Sequence, residues 1–275
     1  MSDSQKLMEI PNLNGASNLE NLILQNCTRL CKIHSSVGYL KKLIQLDLSG
    51  CKNLSNLPNA ICKLMSLKSL NLSNCSVKLP ENLGNLEGLE ELNVSGTPIR
   101  ELSSSSNRLK NLKKHLNFPL LQRSPDPMGM LTRTLSSLSS LTDLNLSYCN
   151  IQAVPDAIGR LTSLNCLSLG GNNFVCLPKD IIRLSNLSSL YLRGCKDLRL
   201  LPELPLNIKY LDARDCTSLE TLPLRPKDGF CPALTLINCD KLFNNQSFSD
   251  MFSTMLARYN QVSPSLSLSL SLVKF

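Results

Sequence analysis

The residues best equipped for chemistry in this chain are its twelve cysteines and two histidines. Cys27 and Cys31 lie four apart, but no C-x-x-C pair or histidine companion completes a tetrahedral ligand set, so no metal site is expected. His34 and His115 lack the partners that a nucleophile or general base requires. The adjacent carboxylates Glu90 and Glu91 read as solubility or contact residues on an exposed face. A phosphate-cradling G-x-x-x-x-G-K-[ST] loop is absent, as is the Rossmann glycine fingerprint. These residues therefore predict no catalysis and no cofactor.

The cysteines make sense once the string that carries them is recognised. Leu19, Leu22, Leu24, Cys27 and Leu30 spell L-x-x-L-x-L-x-x-C-x-x-L, and the pattern returns at Leu43, Leu46, Leu48, Cys51 and Leu54. Further copies run from Leu67 to Cys75, Leu89 to Ile99, Leu141 to Ile151, Leu164 to Phe174 and Leu187 to Leu198. Two worn copies follow, Ile208 to Leu219 and Cys231 to Leu242. Seven cysteines (Cys27, Cys51, Cys75, Cys149, Cys195, Cys216 and Cys239) occupy the same place in the repeat, where a small group fills the interior of a bend. Such a distribution fits reduced thiols in a cytosolic protein better than a disulfide framework.

The x-L-x-L-x core has the period of a short strand, with leucines inward and the intervening residues outward. Between strands runs P-x-x-[ILV]-x-x-L, at Pro58, Ile61, Leu64; Pro80, Leu83, Leu86; Pro155, Ile158, Leu161; and Pro178, Ile181, Leu184. Its three-residue period predicts a 3₁₀ or short α turn. A coil with a narrow strand side and a broader helical side must bend as it stacks. The expected fold is an α/β leucine-rich repeat solenoid, a horseshoe with a concave parallel β-sheet and convex 3₁₀ or short helices. A leucine-dominated apolar fraction of 42% with only 4% aromatics suits many small equivalent layers.

Four segments are expected. Residues 1–102 are repeats whose first coil is truncated, since Met1, Ser4 and Leu7 align one period before Leu24, Cys27 and Leu30; the chain therefore reads as a fragment. Residues 103–140 form a basic, irregular insertion with one degenerate repeat around Leu109 and Leu112. The interval from Leu89 to Leu141 has room for two coils, one of them replaced or enlarged. Residues 141–245 are repeats of increasing irregularity, and 246–275 a post-repeat helix with a low-complexity Ser/Leu tail.

Outward positions of the early strands are small and polar, whereas Ser189, Tyr191, Arg193 and then Tyr210, Asp212, Arg214 fall on adjacent strands about 4.8 Å apart. Tyrosine and arginine dominate contact hot spots, so this cluster is the predicted partner-binding site. A second candidate is a basic docking patch of Arg108, Lys110, Lys113, Lys114, Arg123 and Arg133, able to meet an acidic surface. Nucleic acid is not expected, because only Phe118 is available there for stacking and no recognised module is present. Eight Asn-x-Ser/Thr sequons occur, several falling out of the repeated Asn-Leu-Ser string; without a signal segment they predict no glycosylation. No apolar run approaches the roughly 18 residues that span a bilayer.

Particular strings resemble the repeat domain of plant TIR-NB-LRR disease-resistance proteins. These are Asn26–Leu30 with Ile33 and His34, Leu40–Leu43, Leu46–Leu54 (LDLSGCKNL), Leu141–Cys149 (LTDLNLSYC), Leu201–Leu206 (LPELPL) and the late Leu236–Leu242. The resemblance implies the repeat region of an intracellular immune receptor, cytoplasmic or nucleo-cytoplasmic. Its partners would be a pathogen effector or guarded host protein, and the nucleotide-binding domain of the intact receptor. The signalling and nucleotide-binding parts of that family are missing from these residues. A competing expectation is a stand-alone cytosolic repeat scaffold in signalling, similar to plant Ras-group repeat proteins. A secreted receptor-kinase ectodomain fits less well, because its G-x-I-P consensus is lacking.

Overall fold

The computed structural model describes residues 2–97, 138–224, 232–250 and 252–253, together with positions 105, 108, 109, 111–113, 116, 117, 129, 131, 132 and 135. The chain divides into two compact units, Met1–Asn145 and Leu146–Phe275.

Unit 1 holds strands β1 (Glu9–Ile10), β2 (Asn21–Ile23), β3 (Lys32–Ile33), β4 (Gln45–Asp47), β5 (Ser69–Asn71), β6 (Glu91–Asn93), β7 (Leu116–Asn117) and β8 (Asp143–Asn145). Strands β2, β4, β5 and β6 pair in parallel with Leu22, Leu46, Leu70 and Leu92 in register, and β7 pairs with β8 through Leu116 and Leu144. Unit 2 holds β9 (Cys166–Ser168), β10 (Ser189–Tyr191), β11 (Tyr210–Asp212) and β12 (Ala233–Thr235). There Leu167, Leu190, Leu211 and Leu234 align in the same parallel way. Each predicted inward leucine of a central coil is fully buried, for example Leu46, Leu48, Leu167, Leu190 and Leu192 at 0% exposure. The solenoid is thus built, as its periodicity predicts, from strands whose leucines stack above one another.

The opposite side of the coils carries 3₁₀ turns, η1 (Ser35–Tyr39), η2 (Asn59–Lys63) and η3 (Leu83–Asn85) in unit 1, η4 (Asp156–Arg160) and η5 (Lys179–Arg183) in unit 2. Their hydrogen bonds explain the three-residue spacing. Ile61 N donates to Pro58 O, Leu64 N to Ile61 O and Leu67 N to Leu64 O, so each apolar residue of the consensus closes one i to i−3 ring. Pro58, Pro155 and Pro178 precede their turns with φ from −72° to −65°, the value the pyrrolidine ring fixes. His34 fills the same place with φ −65° and uses Nδ1 to accept the Ser36 amide at 3.1 Å. That histidine is a cap.

A minor second ladder, not anticipated from the sequence, runs between the main sheet and the 3₁₀ side. In unit 1 β1 pairs with β3, and Asn56 bridges Lys78. In unit 2 Cys176 bridges Leu200, which bridges Thr221. Most of its rungs are single residues, too short to leave a periodic signature.

Leu112 N donates to Leu109 O, Lys113 N to Glu90 O and Thr142 N to Lys113 O, so the chain around Leu112 is a coil of the series. From Leu89 to Leu112 is an ordinary interval of 23 positions, and the extra length falls between Leu112 and Leu141, an interval of 29. At the far end helix α1 (Asp240–Phe243) begins before the predicted post-repeat boundary, and helical residues 246–250 follow. The Ser/Leu tail lies outside the described residues.

Candidate functional site: the sheet face of unit 2

Turning off each strand requires one residue in the left-handed region, just before the ladder cysteine. The positions are Asn26, Gly50, Asn74, Gly96, Tyr148, Gly171, Gly194, Asp215 and Asn238, with φ from 56° to 76°. Glycine, asparagine and aspartate tolerate that conformation best, which accounts for the residue types. The ladder residue then bonds a carbonyl one coil upstream: Cys51 Sγ to Leu24 O at 3.1 Å, Cys75 Sγ to Leu48 O at 2.9 Å, Cys216 Sγ to Leu192 O at 3.1 Å. Asn172 donates to Leu146 O one coil upstream and to Leu169 O of its own coil, and accepts from the amides of Cys149 and Ile151. Cysteine is packing and a weak donor here.

On this scaffold β10 and β11 place Tyr191 and Tyr210 with ring centroids 5.4 Å apart and planes tilted by 54°. Tyrosine pairs of this geometry add a modest attraction beyond the area they cover. The Tyr210 hydroxyl lies 3.3 Å from Thr235 Oγ1. Arg214 grips Asp212 in a bidentate pair, Nε to Oδ1 at 2.9 Å and Nη2 to Oδ2 at 2.6 Å, and its backbone amide donates to Oδ1 as well. The hydrogen bond and charge of Asp212 push the guanidinium of Arg214 further up. Arg193 Nε donates to Asp215 Oδ2 at 3.3 Å, and Asn238 Nδ2 to Asp215 Oδ1 at 2.7 Å. The Asn238 bond first, and Arg193 after it, hold the Asp215 carboxyl below the usual carboxylate range. Burial pushes the Tyr191 phenol up.

The structure brings Tyr191, Arg193, Tyr210 and Arg214 to one face, with Ser189 half-buried beside them. Asp212 is different. It is 2% exposed, so it positions Arg214 and is not available to touch a partner. Its alternation in the strand reads as outward, but a short carboxylate roofed by the arginine two residues on is covered. Asp47 in unit 1 repeats the case at 4% exposure, accepting from Gln25, Asn71 and the Ser49 amide. Sequence reasoning missed Asp215, Asn238 and Tyr148, whose signal is the fixed place before the ladder residue.

Of the basic patch, Arg108 and Lys113 are described. Arg108 Nη1 donates to Asn85 Oδ1 of η3, and Lys113 Nζ lies 3.5 Å from Glu90 Oε2, which with Lys68 forms a surface chain of charges. Lys110, Lys114, Arg123 and Arg133 lie outside the described residues, as does His115. Among the described residues no three His, Cys, Asp or Glu side chains gather as metal ligands, and no helix is long and apolar enough to cross a membrane. Several sequon amides serve the fold: Asn71 donates to Asp47, Asn26 to Asp3, Asn186 to Thr162 O and Asn245 to Glu220 O.

A family model described as leucine-rich repeat region matches residues 31–143, and one described as leucine rich repeat matches 139–196. Disease resistance-like protein DSC1 of Arabidopsis thaliana is 33% identical over 77% of this chain and 17% of its own length. Disease resistance protein RML1B of the same plant is 33% identical over 88% of the chain and 20% of its length. TMV resistance protein N of Nicotiana glutinosa is 33% identical over 58% and 14%. The chain thus spans a fifth or less of the length of these relatives. Among solved structures, a leucine-rich repeat protein of Leptospira interrogans superposes with a TM-score of 0.62 at 21% identity, covering 92% of this chain and 74% of its own, which bears on the fold alone.

Proposed function

The chain belongs to the leucine-rich repeat family, its repeats are similar to those of plant disease-resistance proteins, and from that premise we propose that it is a non-catalytic protein-recognition module of an intracellular immune receptor. The sheet face of unit 2 engages a pathogen effector or guarded host protein, and the repeats restrain the nucleotide-binding domain of the intact receptor. The observation that carries this reading is the cluster of Tyr191, Arg193, Tyr210 and Arg214 on a rigid parallel ladder, where each guanidinium is already held by a carboxylate. Side chains ordered before binding lose little entropy on contact. The cytoplasm is the expected compartment, in keeping with reduced ladder thiols.

The test substitutes alanine at Tyr191, Arg193, Tyr210 and Arg214 together in the full-length protein and measures partner binding and the defence response. Loss of partner binding by about a hundredfold or more, with unchanged far-ultraviolet circular dichroism, is expected, as for the removal of several hot-spot residues. Undiminished binding refutes the site. A nucleotide-binding domain encoded in the same transcript separates this reading from a stand-alone scaffold.

A further inference from the structure

We propose that the sheet face of unit 2 takes an acidic peptide segment, which lies against bare backbone at Gly194, beside the Tyr148 ring that covers Gly171, and meets the guanidinium groups of Arg193 and Arg214. The proposal rests on the reading of this face as the partner surface and adds the chemistry of the partner.

Three observations lead there. The first is the residue in the left-handed position of each coil. Among the described residues aspartate, asparagine or glycine fills it except at Tyr148, which has φ 58° and is 71% exposed. An aromatic side chain in that region is held at a cost that asparagine would avoid. The neighbouring coil is matched to it, because a Cβ added at Gly171 would overlap the Tyr148 ring.

The second observation is the open backbone one coil beyond that ring. Gly171 and Gly194 are successive left-handed positions, and a Cβ built on Gly194 would find its nearest atoms on Gly171 at 3.8 Å. The ridge therefore runs from the Tyr148 ring, which lies over Gly171, across bare Gly194 to the Asp215 and Arg193 pair. Glycine lets another backbone approach where any side chain would stand it off.

The third is the direction of the charges. Both oxygens of buried Asp212 accept from Arg214, and Asp215 accepts from Arg193 and Asn238, so the acids are occupied within the face. Arg193 uses only Nε, and neither of its terminal amino groups bonds among the described residues. Arg214 likewise keeps Nη1. Asp215 is as exposed as Arg214, at 35%, but its oxygens are taken, so the donors the face leaves unbonded among the described residues are cationic. Carboxylates are the acceptors that fit them, through short charge-assisted bonds.

The test uses isotope-labelled full chain and two probes, a heptapeptide of aspartate, glutamate and glycine, and the same peptide with asparagine and glutamine in their place. Nuclear magnetic resonance follows the Nε–H signals of Arg193 and Arg214 and the ring of Tyr148. The acidic peptide is expected to move these signals and to bind about tenfold tighter than its amide counterpart at about 50 mM salt, the gap narrowing at about 300 mM. Arg193→Gln should abolish the preference, Arg193→Lys should restore part of it, and Tyr148→Asn should weaken the acidic peptide about threefold without altering the circular dichroism. Equal binding of both peptides, binding of neither, or shifts confined to residues 108–133 overturns the proposal. In the first of these outcomes the face remains a partner surface, whereas failure of the four-alanine test removes the surface itself.

Discussion

The thiols of Cys51, Cys75, Cys195, Cys216 and Cys239 sit with their protons directed at carbonyls of the preceding coil, and burial keeps ladder protons in place. It pushes Cys51 and Cys149 up to about 12, and Cys75, Cys195 and Cys239 up to about 11. The thiolate is the reactive form, so these residues should resist alkylation in the folded chain. Iodoacetamide at about pH 8 is expected to modify exposed Cys31 and Cys176 and to spare the ladder until denaturant is added, as peptide mapping would read. A labelled ladder cysteine in the native chain would refute the packing role. The same residues set a pH dependence. In the unfolded chain each thiol loses its proton near pH 8.5, in the folded chain only well above it. Their contribution is therefore complete below that value and is lost as pH climbs toward the folded value. The urea midpoint should fall steadily between about pH 8.5 and about pH 11, and fall less in a Cys51→Thr, Cys75→Thr variant, since Thr97 shows that a hydroxyl can bond Val94 O from the same place.

At the scale of the element, what was legible in the sequence follows from burial. Strand and 3₁₀ leucines face one interior, so a fixed period survives and the register Leu22, Leu46, Leu70 is legible in the residues themselves. The second ladder could not be read, because its single rungs impose no alternation. In the candidate site the tyrosines and arginines were legible as outward residues. The burial of Asp212 was not, since it depends on where the Arg214 side chain folds back. The left-handed ridge lies between these cases, visible among the described residues as Asn, Gly or Asp before a ladder residue and hidden at Tyr148. That exception makes a prediction about turns. Gly171→Ala is expected to cost about 2 kcal/mol, from a strained φ and from the displaced ring. Tyr148→Asn should be mildly stabilising, by about 0.5 kcal/mol, because asparagine accepts this backbone more readily. In the Tyr148→Asn background the glycine substitution should cost about 1 kcal/mol less, a coupling measurable by a double-mutant cycle in urea. Additive effects would mean that the ring does not depend on the glycine.

At the scale of the molecule, a solenoid holds each coil only through its neighbours, so its last coil needs something other than a coil to lie on. In unit 2 that role falls to the helical residues after β12. Phe243, Phe248 and Phe252 form a cluster in which Phe248 and Phe252 stack at 5.5 Å and Phe243 meets both edge-on. Phe248 and Phe252 are 4% and 6% exposed, Leu242 is fully buried, and Asn245 ties the segment to Glu220 O. Three phenylalanines within ten residues are readable as apolar, but their work as a lid depends on where the final coil ends, which the worn repeats from Ile208 onward obscure. Phe248→Ala should destabilise this end by about 3 kcal/mol. Nearest-neighbour coupling dictates how the damage spreads. Hydrogen exchange should quicken most at Leu234 and Leu236, less at Leu211 and Leu190, and not at Leu46 or Leu70 in unit 1. A uniform rise across both units would instead mean that the whole chain opens as one, and that closing its last coil governs every other.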